Sequence, residues 1–87
     1  MGKHSGAQVA LLYWLKVSRK ARWGNLAEVR RDFQSADLVG DRLVFNIKGN
    51  SYRLVAGVSF ERQALYVKWF GAHAEYDRID VRKVEPE

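Results

Sequence analysis

The spacing of apolar residues changes at Arg42, from a roughly helical period to a period of two. From there, apolar and polar residues alternate through three runs, separated by Gly49-Asn50 and by the polar segment 61–64. A Gly-Asn pair between two alternating runs is typical of a tight β-hairpin turn. The sequence therefore predicts a meander of three antiparallel strands, the last of them covering Leu65–Phe70.

Two helices are predicted before Arg42. Between Ala7 and Trp23 the apolar positions at helical spacing are Val9, Leu12, Tyr13, Leu15 and Val17. A basic cluster and Gly24 are typical of the end of that helix. Asn25 and Glu28 have the spacing of a capping box, so a second helix should begin there, with a buried stripe of Leu26, Val29 and Phe33. The short connection between the two helices predicts a helical hairpin.

These elements predict an α+β fold in which the helical hairpin packs on the three-stranded meander, followed by a short C-terminal turn or helix. With 87 residues, the chain should form a single domain over 1–87, with residues 1–6 disordered or tag-derived and 82–87 a tail. The chain has no cysteine, which excludes disulfides and thiolate metal sites. It has neither a signal-peptide pattern nor an apolar run of about 18 residues, so we expect a cytoplasmic protein without a membrane span.

Strand register divides the predicted sheet into two unlike faces, because directly opposed residues share a face. A two-residue turn at Gly49-Asn50 places Asn46 opposite Arg53, and the next loop places Gly57 opposite Lys68. One face is then wholly apolar and should be covered by the helices: Leu43, Phe45, Ile47, Leu54, Ala56, Val58, Leu65, Val67 and Trp69. The other face mixes polar, cationic and aromatic side chains: Asn46, Lys48, Arg53, Tyr66, Lys68 and Phe70.

The mixed face has two interpretations. It is either an ordinary solvated exterior or a nucleic-acid surface, on which cations bind phosphates and aromatic rings stack on bases. A net charge of +5 attracts polyanions and is compatible with the second interpretation. Composition alone does not decide between them.

The segment FGAHAEYDRID, residues 70–80, places titratable side chains directly after the third strand. His73 and Tyr76 are three residues apart and would share one face of a helical turn. In the predicted register, one pocket would hold them together with Lys48, Arg53 and Lys68. Such a group has the cations, the acid and the base that cleavage of RNA by its own 2′-hydroxyl requires, without a metal. The plainer alternatives are a surface histidine and a tyrosine that packs the turn onto the sheet.

The segments VFNIKGNSYRLVA and HAEYDRID, preceded by ARWGNLAEVRRDFQSADLVGDR, closely resemble the HigB-type toxins of bacterial toxin–antitoxin systems. The match covers roughly Ala21 to Val81. The resemblance implies the RelE-like toxin fold and an mRNA interferase that cuts translated messages on the ribosome, without a cofactor or metal. It also implies a helix-turn-helix, HigA-like antitoxin as partner, beside mRNA and the ribosome, and assembly as a homodimer or a toxin–antitoxin heterotetramer.

By position in these motifs, the resemblance implies that Arg53 stabilises the phosphate and that Tyr76 or His73 transfers protons. The candidate RNA-binding residues are Lys48, Asn50, Lys68 and Tyr66. Two other functions fit the same fold, since a fold does not determine a function. One is an inactive member that only binds RNA or its antitoxin, and the other is a toxin that targets gyrase.

The chain departs from the family pattern at two places. Ala72 stands before His73, where threonine is usual, so the last turn should lose about 1 kcal/mol of capping. Members of the family also usually begin with a further strand and more of the first helix. A sheet without that strand should have an open edge, which favours pairing with a second copy or with the antitoxin.

Overall fold

The computed structural model describes residues 7–86, so the predictions for residues 1–6 fall outside it. Its elements in chain order are α1 (Gln8–Lys20), α2 (Leu26–Asp32), β1 (Asp37–Val39), β2 (Arg42–Ile47), β3 (Tyr52–Ser59), β4 (Ala64–Ala72) and α3 (His73–Tyr76). The strands form one antiparallel sheet in the order β1-β2-β3-β4. The predicted α+β class and the meander of β2, β3 and β4 are confirmed.

The sheet has a fourth strand that the sequence did not predict. β1 is three residues long and pairs with β2 across a tight turn at Gly40 and Asp41. Gly40 has a φ of +63°, a left-handed conformation that glycine adopts without steric cost. A run of three residues is too short to show a period of two, which explains why the prediction of three strands was wrong.

Both predicted helices are present, but the structure does not confirm a helical hairpin. The prediction that Asn25 caps α2 is confirmed, because Asn25 Oδ1 accepts a hydrogen bond from the Glu28 amide at 3.0 Å. However, α1 ends four residues before Gly24, and the connection 21–25 is not helical. Trp23 in this connection is buried, so the chain between the helices contributes to the core itself.

The sheet-facing side of α1 is not the side that its apolar spacing marked. Trp14 is buried, and Leu11 and Val17 beside it are half-buried. Four of the five positions that predicted the helix are exposed: Val9, Leu12, Tyr13 and Leu15. A helix with apolar residues on both sides has a helical period whichever side faces the sheet, so spacing alone did not identify the buried side.

The core lies between the helices and one face of the sheet, and its centre is Phe45 of β2. The ring of Phe45 is fully buried, with ring centroids 5.2 Å from Phe33, 5.4 Å from Trp14 and 6.2 Å from Trp23. These rings come from α1, from the residue directly after α2 and from the connection between the two helices. The aromatic cluster therefore joins both helices to the sheet.

The register of β2 and β3 is as predicted, with Asn46 opposite Arg53. The register of β3 and β4 is not, because Gly57 lies opposite Tyr66 instead of Lys68. The pairing shifts between Val55 and Ala56, where a β-bulge gives β4 one extra residue.

The bulge exchanges the faces of two aromatic residues. Trp69 pairs with Val55 on the side away from the helices, and Phe70 pairs with Leu54 on the core side. The prediction was the reverse for both residues. One extra residue inverts the alternation of every side chain beyond it, and the sequence pattern gave no sign of the bulge. The face away from the helices, which carries Asn46, Arg53 and Trp69, is called the outer face below.

Candidate active site on the outer face

The side chain of Arg53 is held in place on the outer face by three neighbours. Its Nη2 donates to Asn50 Oδ1 at 2.8 Å, and its Nη1 donates to the carbonyl oxygen of Tyr52 at 3.3 Å. Its Cζ lies 5.7 Å from the centroid of the Tyr76 ring, a cation–π distance. Arg53 is half-buried beside the C-terminal turn, so its guanidinium keeps partial access to solvent.

The C-terminal turn is tied to the loop between β2 and β3. The amide of His73, the first residue of α3, donates to the carbonyl oxygen of Ser51 at 3.0 Å. Ala72 has no side-chain acceptor with which to cap α3, but its amide donates to Glu75 Oε1 at 3.0 Å. These bonds place Tyr76 of α3 beside Arg53, while the His73 side chain is exposed.

Gly71 allows this close approach of the turn to the sheet. It lies opposite Arg53 and is buried. A Cβ at this position would lie 2.6 Å from two ring carbons of Trp69 and 2.8 Å from Glu75 Oε1. Trp69 in turn contacts Tyr76, with ring centroids 6.3 Å apart. Glycine is therefore required for the packing of the Trp69–Tyr76 pair.

We expect Gly71→Ala to lower the free energy of unfolding by about 1–3 kcal/mol, because the added methyl overlaps both neighbours. Urea denaturation followed by tryptophan fluorescence measures the change. The matched control is Gly57→Ala on β3, where the nearest neighbour of the new Cβ would be the flexible end of Lys68 at 3.1 Å and the Tyr66 carbonyl oxygen would lie in ordinary contact at 3.8 Å. An equal loss in both variants would contradict a specific role for Gly71.

The other candidate residues lie in two places. Lys48 and Asn50 are exposed in the loop between β2 and β3, next to Arg53. Lys68 lies about 10 Å along β4 from Gly71, and exposed Tyr66 is farther along the strand. The structure thus brings Arg53, Asn50 and Tyr76 together, but it does not bring Lys68 into the predicted pocket.

Lys68 is instead part of an ion-pair cluster with the C-terminal segment. Its Nζ lies 2.8 Å from Glu85 Oε1, and Glu85 Oε2 lies 2.7 Å from Nη2 of Arg42. Arg42 is buried and also donates to the carbonyl oxygens of Val81 and Val84. The segment after α3 therefore returns across the outer face, and its Glu85 carboxylate pairs with the Lys68 ammonium.

Sequence reasoning missed the roles of Arg42 and Glu85. Arg42 is the first residue of β2 and has no local signal of burial, and Glu85 lies in the predicted tail, 17 residues after Lys68. No periodic pattern connects residues so far apart in the chain. The only indication in the sequence was that the C-terminal segment contains charges and two valines, which permits packing but does not predict it.

The Lys68 ammonium, through its hydrogen bond, holds the pKa of Glu85 below its ordinary value of 4.5, and Arg42 adds to this effect while burial opposes it. Because this pKa is lowered in the folded chain, the ionised carboxylate stabilises the fold at pH values above the ordinary carboxyl pKa. This contribution is lost as the pH falls through the lowered pKa. At neutral pH the ion pairs of Glu85 with Lys68 and Arg42 therefore contribute their full stabilisation.

We expect Glu85→Gln to lower stability at neutral pH, and the difference from the wild type to shrink in acid, where the wild-type carboxylate also becomes protonated. Urea midpoints at two pH values measure the effect. Glu61→Gln, an exposed loop carboxylate with the same charge change, is the control.

Among residues 7–86, no group of three or more His, Cys, Asp or Glu side chains is placed to hold a metal ion. No helix within the same range has the length and apolar character needed to cross a bilayer.

A comparison with curated proteins found no match. A family model, HigB_toxin, described as the RelE-like toxic component of a toxin–antitoxin system, matches residues 7–79. This range is most of the chain, and it includes all four strands and the Arg53–Tyr76 pair. The chain therefore belongs to the HigB toxin family, as its motifs indicated.

Proposed function

We propose that this HigB-family toxin is an mRNA interferase, an endoribonuclease that cuts messages while they are translated on the ribosome. RelE-like toxins are generally endoribonucleases. The observation that carries the proposal is the Arg53 guanidinium over the ring of Tyr76, which puts an anion-binding group beside a phenol that can transfer a proton. Arg53 lies on the outer face of the sheet, and Tyr76 of α3 packs against it from the C-terminal turn.

The proposed reaction needs only the RNA and protein side chains. The 2′-hydroxyl oxygen attacks the adjacent phosphorus, the bond from phosphorus to the 5′ oxygen breaks, and a 2′,3′-cyclic phosphate forms. A base takes the 2′ proton, and an acid gives a proton to the leaving 5′ oxygen, with Tyr76 and His73 as the candidates for these two roles. Arg53 stabilises the charge that develops on the phosphate oxygens. The reaction consumes no water and requires no metal.

The outer face offers further contacts to an RNA strand. Exposed Lys48 and Asn50 lie in the loop next to Arg53, where they can bind phosphates that flank the cut. Tyr66 is exposed farther along β4, where its ring can stack on a base. Lys68 joins this surface only when Glu85 is displaced.

The partners proposed with this activity are a helix-turn-helix, HigA-like antitoxin and the translating ribosome, and the compartment is the cytoplasm. Membership of a toxin–antitoxin family implies an antitoxin. The rest of the partner assignment rests on the resemblance of the motifs around Arg53 and Tyr76.

Induced expression with mapping of message 5′ ends tests the proposal. New ends should appear inside translated messages and should decrease about 100-fold or more in Tyr76→Phe, which keeps the ring but removes the acidic hydroxyl. Tyr13→Phe, an exposed tyrosine on α1, is the control and should cut at the wild-type rate. Growth arrest with intact messages and a DNA-damage response would indicate a gyrase-directed toxin instead. Absence of arrest would indicate a binding-only member.

A further inference from the structure

The groups that hold Arg53 do not neutralise its charge. Both of its hydrogen bonds go to neutral acceptors, the amide oxygen of Asn50 and the carbonyl oxygen of Tyr52. Within residues 7–86, no carboxylate forms an ion pair with Arg53. Three other arginines of this range each pair with a carboxylate: Arg30, Arg31 and Arg42. The Arg53 guanidinium is therefore held in one place with its positive charge uncompensated.

The backbone of the loop 48–51 does not explain why its third residue is asparagine. Asparagine is common in hairpin turns because it tolerates a left-handed backbone. In this loop the left-handed residues are Lys48, with a φ of +54°, and Gly49, with a φ of +64°, and not Asn50. What the Asn50 side chain does in the described part of the chain is accept the hydrogen bond from Arg53 at 2.8 Å.

The loop that carries Asn50 is constrained on both sides. β2 and β3 pair up to the residues that flank it, and the Ser51 amide donates to the carbonyl oxygen of Lys48 at 3.2 Å. The carbonyl oxygen of Ser51 accepts from the His73 amide, which joins the loop to α3. An acceptor on a constrained loop can hold a long, flexible arginine side chain in one position.

The arrangement also leaves the donors that a phosphate requires. A guanidinium has five N–H groups in one plane, and the bonds to Asn50 and Tyr52 use one on each Nη of Arg53. A bidentate contact with two phosphate oxygens uses two more. A carboxylate in the place of the Asn50 amide would also hold the guanidinium, but its negative charge would oppose the binding of a phosphate.

We infer that Asn50 is a positioning residue, which acts on the RNA through Arg53 and not by direct contact. Its amide oxygen orients the guanidinium toward the phosphate and, because an amide is neutral, leaves the charge of Arg53 for that phosphate. The inference rests on the proposed function, and it identifies a group on which the stabilisation of the phosphate depends.

Two other roles for Asn50 predict different results. If Asn50 bound RNA directly, its removal and the removal of Arg53 would affect cleavage independently, and the two losses would multiply. If Asn50 only stabilised the turn, its removal would reduce the folded fraction, and the folded chains would still cut at the wild-type rate.

A double-mutant cycle on single-turnover cleavage of a programmed ribosome complex separates these roles. We expect Asn50→Ala to slow the cleavage step about 10-fold in the wild-type background, because the guanidinium loses a charge-assisted hydrogen bond. In the Arg53→Ala background the same change should alter the rate less than about twofold, since no side chain is left to position.

Gln34→Ala is the matched control, because it truncates an exposed side-chain amide in the turn after α2 and should leave the rate unchanged. Circular dichroism verifies that each variant is folded. A wild-type rate in Asn50→Ala would overturn the inference. So would losses at Asn50 and Arg53 that multiply in the double variant, since these indicate direct contact of Asn50 with RNA.

Asn50→Asp tests whether the acceptor must be neutral. This variant keeps an oxygen acceptor beside Arg53 and adds a negative charge, so Arg53 should stay in place while the Kd for inorganic phosphate rises about 10-fold. Nuclear magnetic resonance reports the position, because a fixed guanidinium has separate signals for its two Nη groups and a rotating one has averaged signals. Arg53→Lys identifies these signals by their loss.

Separate Arg53 signals are expected in the wild type and in Asn50→Asp, and averaged signals in Asn50→Ala. Averaged signals in the wild type, or separate signals in Asn50→Ala, would show that Asn50 does not hold Arg53. An unchanged Kd for phosphate in Asn50→Asp would contradict the need for a neutral acceptor.

These measurements separate the inference from the proposed function. Resonance spectra and the phosphate titration require neither a ribosome nor cleavage, so they decide what Asn50 does to Arg53 even if the chain cuts no message. Intact messages with every variant would refute the nuclease proposal alone. Cleavage that depends on Arg53 but not on Asn50 would refute the positioning role and leave the nuclease proposal in place.

Discussion

Replacement of Arg53 by alanine should reduce the rate of message cleavage by about 100- to 1000-fold while the chain remains folded. The guanidinium donates to Asn50 and lies over Tyr76, so its position is set before RNA binds. A donor held in place stabilises the developing phosphate charge without reorganisation during the reaction. Removal of the donor therefore acts mainly on the cleavage step.

Single-turnover cleavage of a programmed ribosome complex measures this effect separately from binding. Arg53→Lys retains one positive charge but loses the planar, bidentate donor geometry, so we expect only partial recovery. Arg62→Ala, at the opposite end of β3 in the loop 60–63, removes the same charge from an exposed position and should leave the rate unchanged. A wild-type rate in Arg53→Ala would exclude Arg53 from the reaction.

Phe45→Ala should lower the free energy of unfolding by about 3–5 kcal/mol. The ring is fully buried and contacts Trp14 of α1, Trp23 of the segment between the helices and Phe33 directly after α2. Its loss leaves a cavity that the sheet cannot close, because β2 is held between β1 and β3. A domain of this length has a total stability of about 4–13 kcal/mol, so the loss is a large part of the total free energy of unfolding.

Urea denaturation followed by circular dichroism measures the loss, with Phe45→Leu as an intermediate that fills most of the cavity. Leu12→Ala is the control, since this α1 side chain is 64% exposed and its removal should cost about 0.5 kcal/mol or less. Similar losses at Phe45 and Leu12 would show that the aromatic cluster is not the centre of the core.

The candidate site was predicted from the sequence only where its parts lie close along the chain. The turn at Gly49-Asn50 sets the register of the hairpin, and this register places Arg53 opposite Asn46. Tyr76 follows Gly71 by five residues, so its approach to the neighbouring strand was also predictable. Lys68 was misplaced because its partner, Glu85, comes from the distant C-terminal segment.

The sequence by itself determined the helical segment before Gly24, the cap at Asn25, the pairing of β2 with β3, and the family. Each depends on neighbouring residues or on short motifs, so local steric and hydrogen-bonding rules are sufficient. Only the tertiary structure decided which side of α1 is buried, and which of Trp69 and Phe70 faces the core. These choices depend on the bulge in β4 and on packing between distant segments, where competing arrangements have the same local pattern.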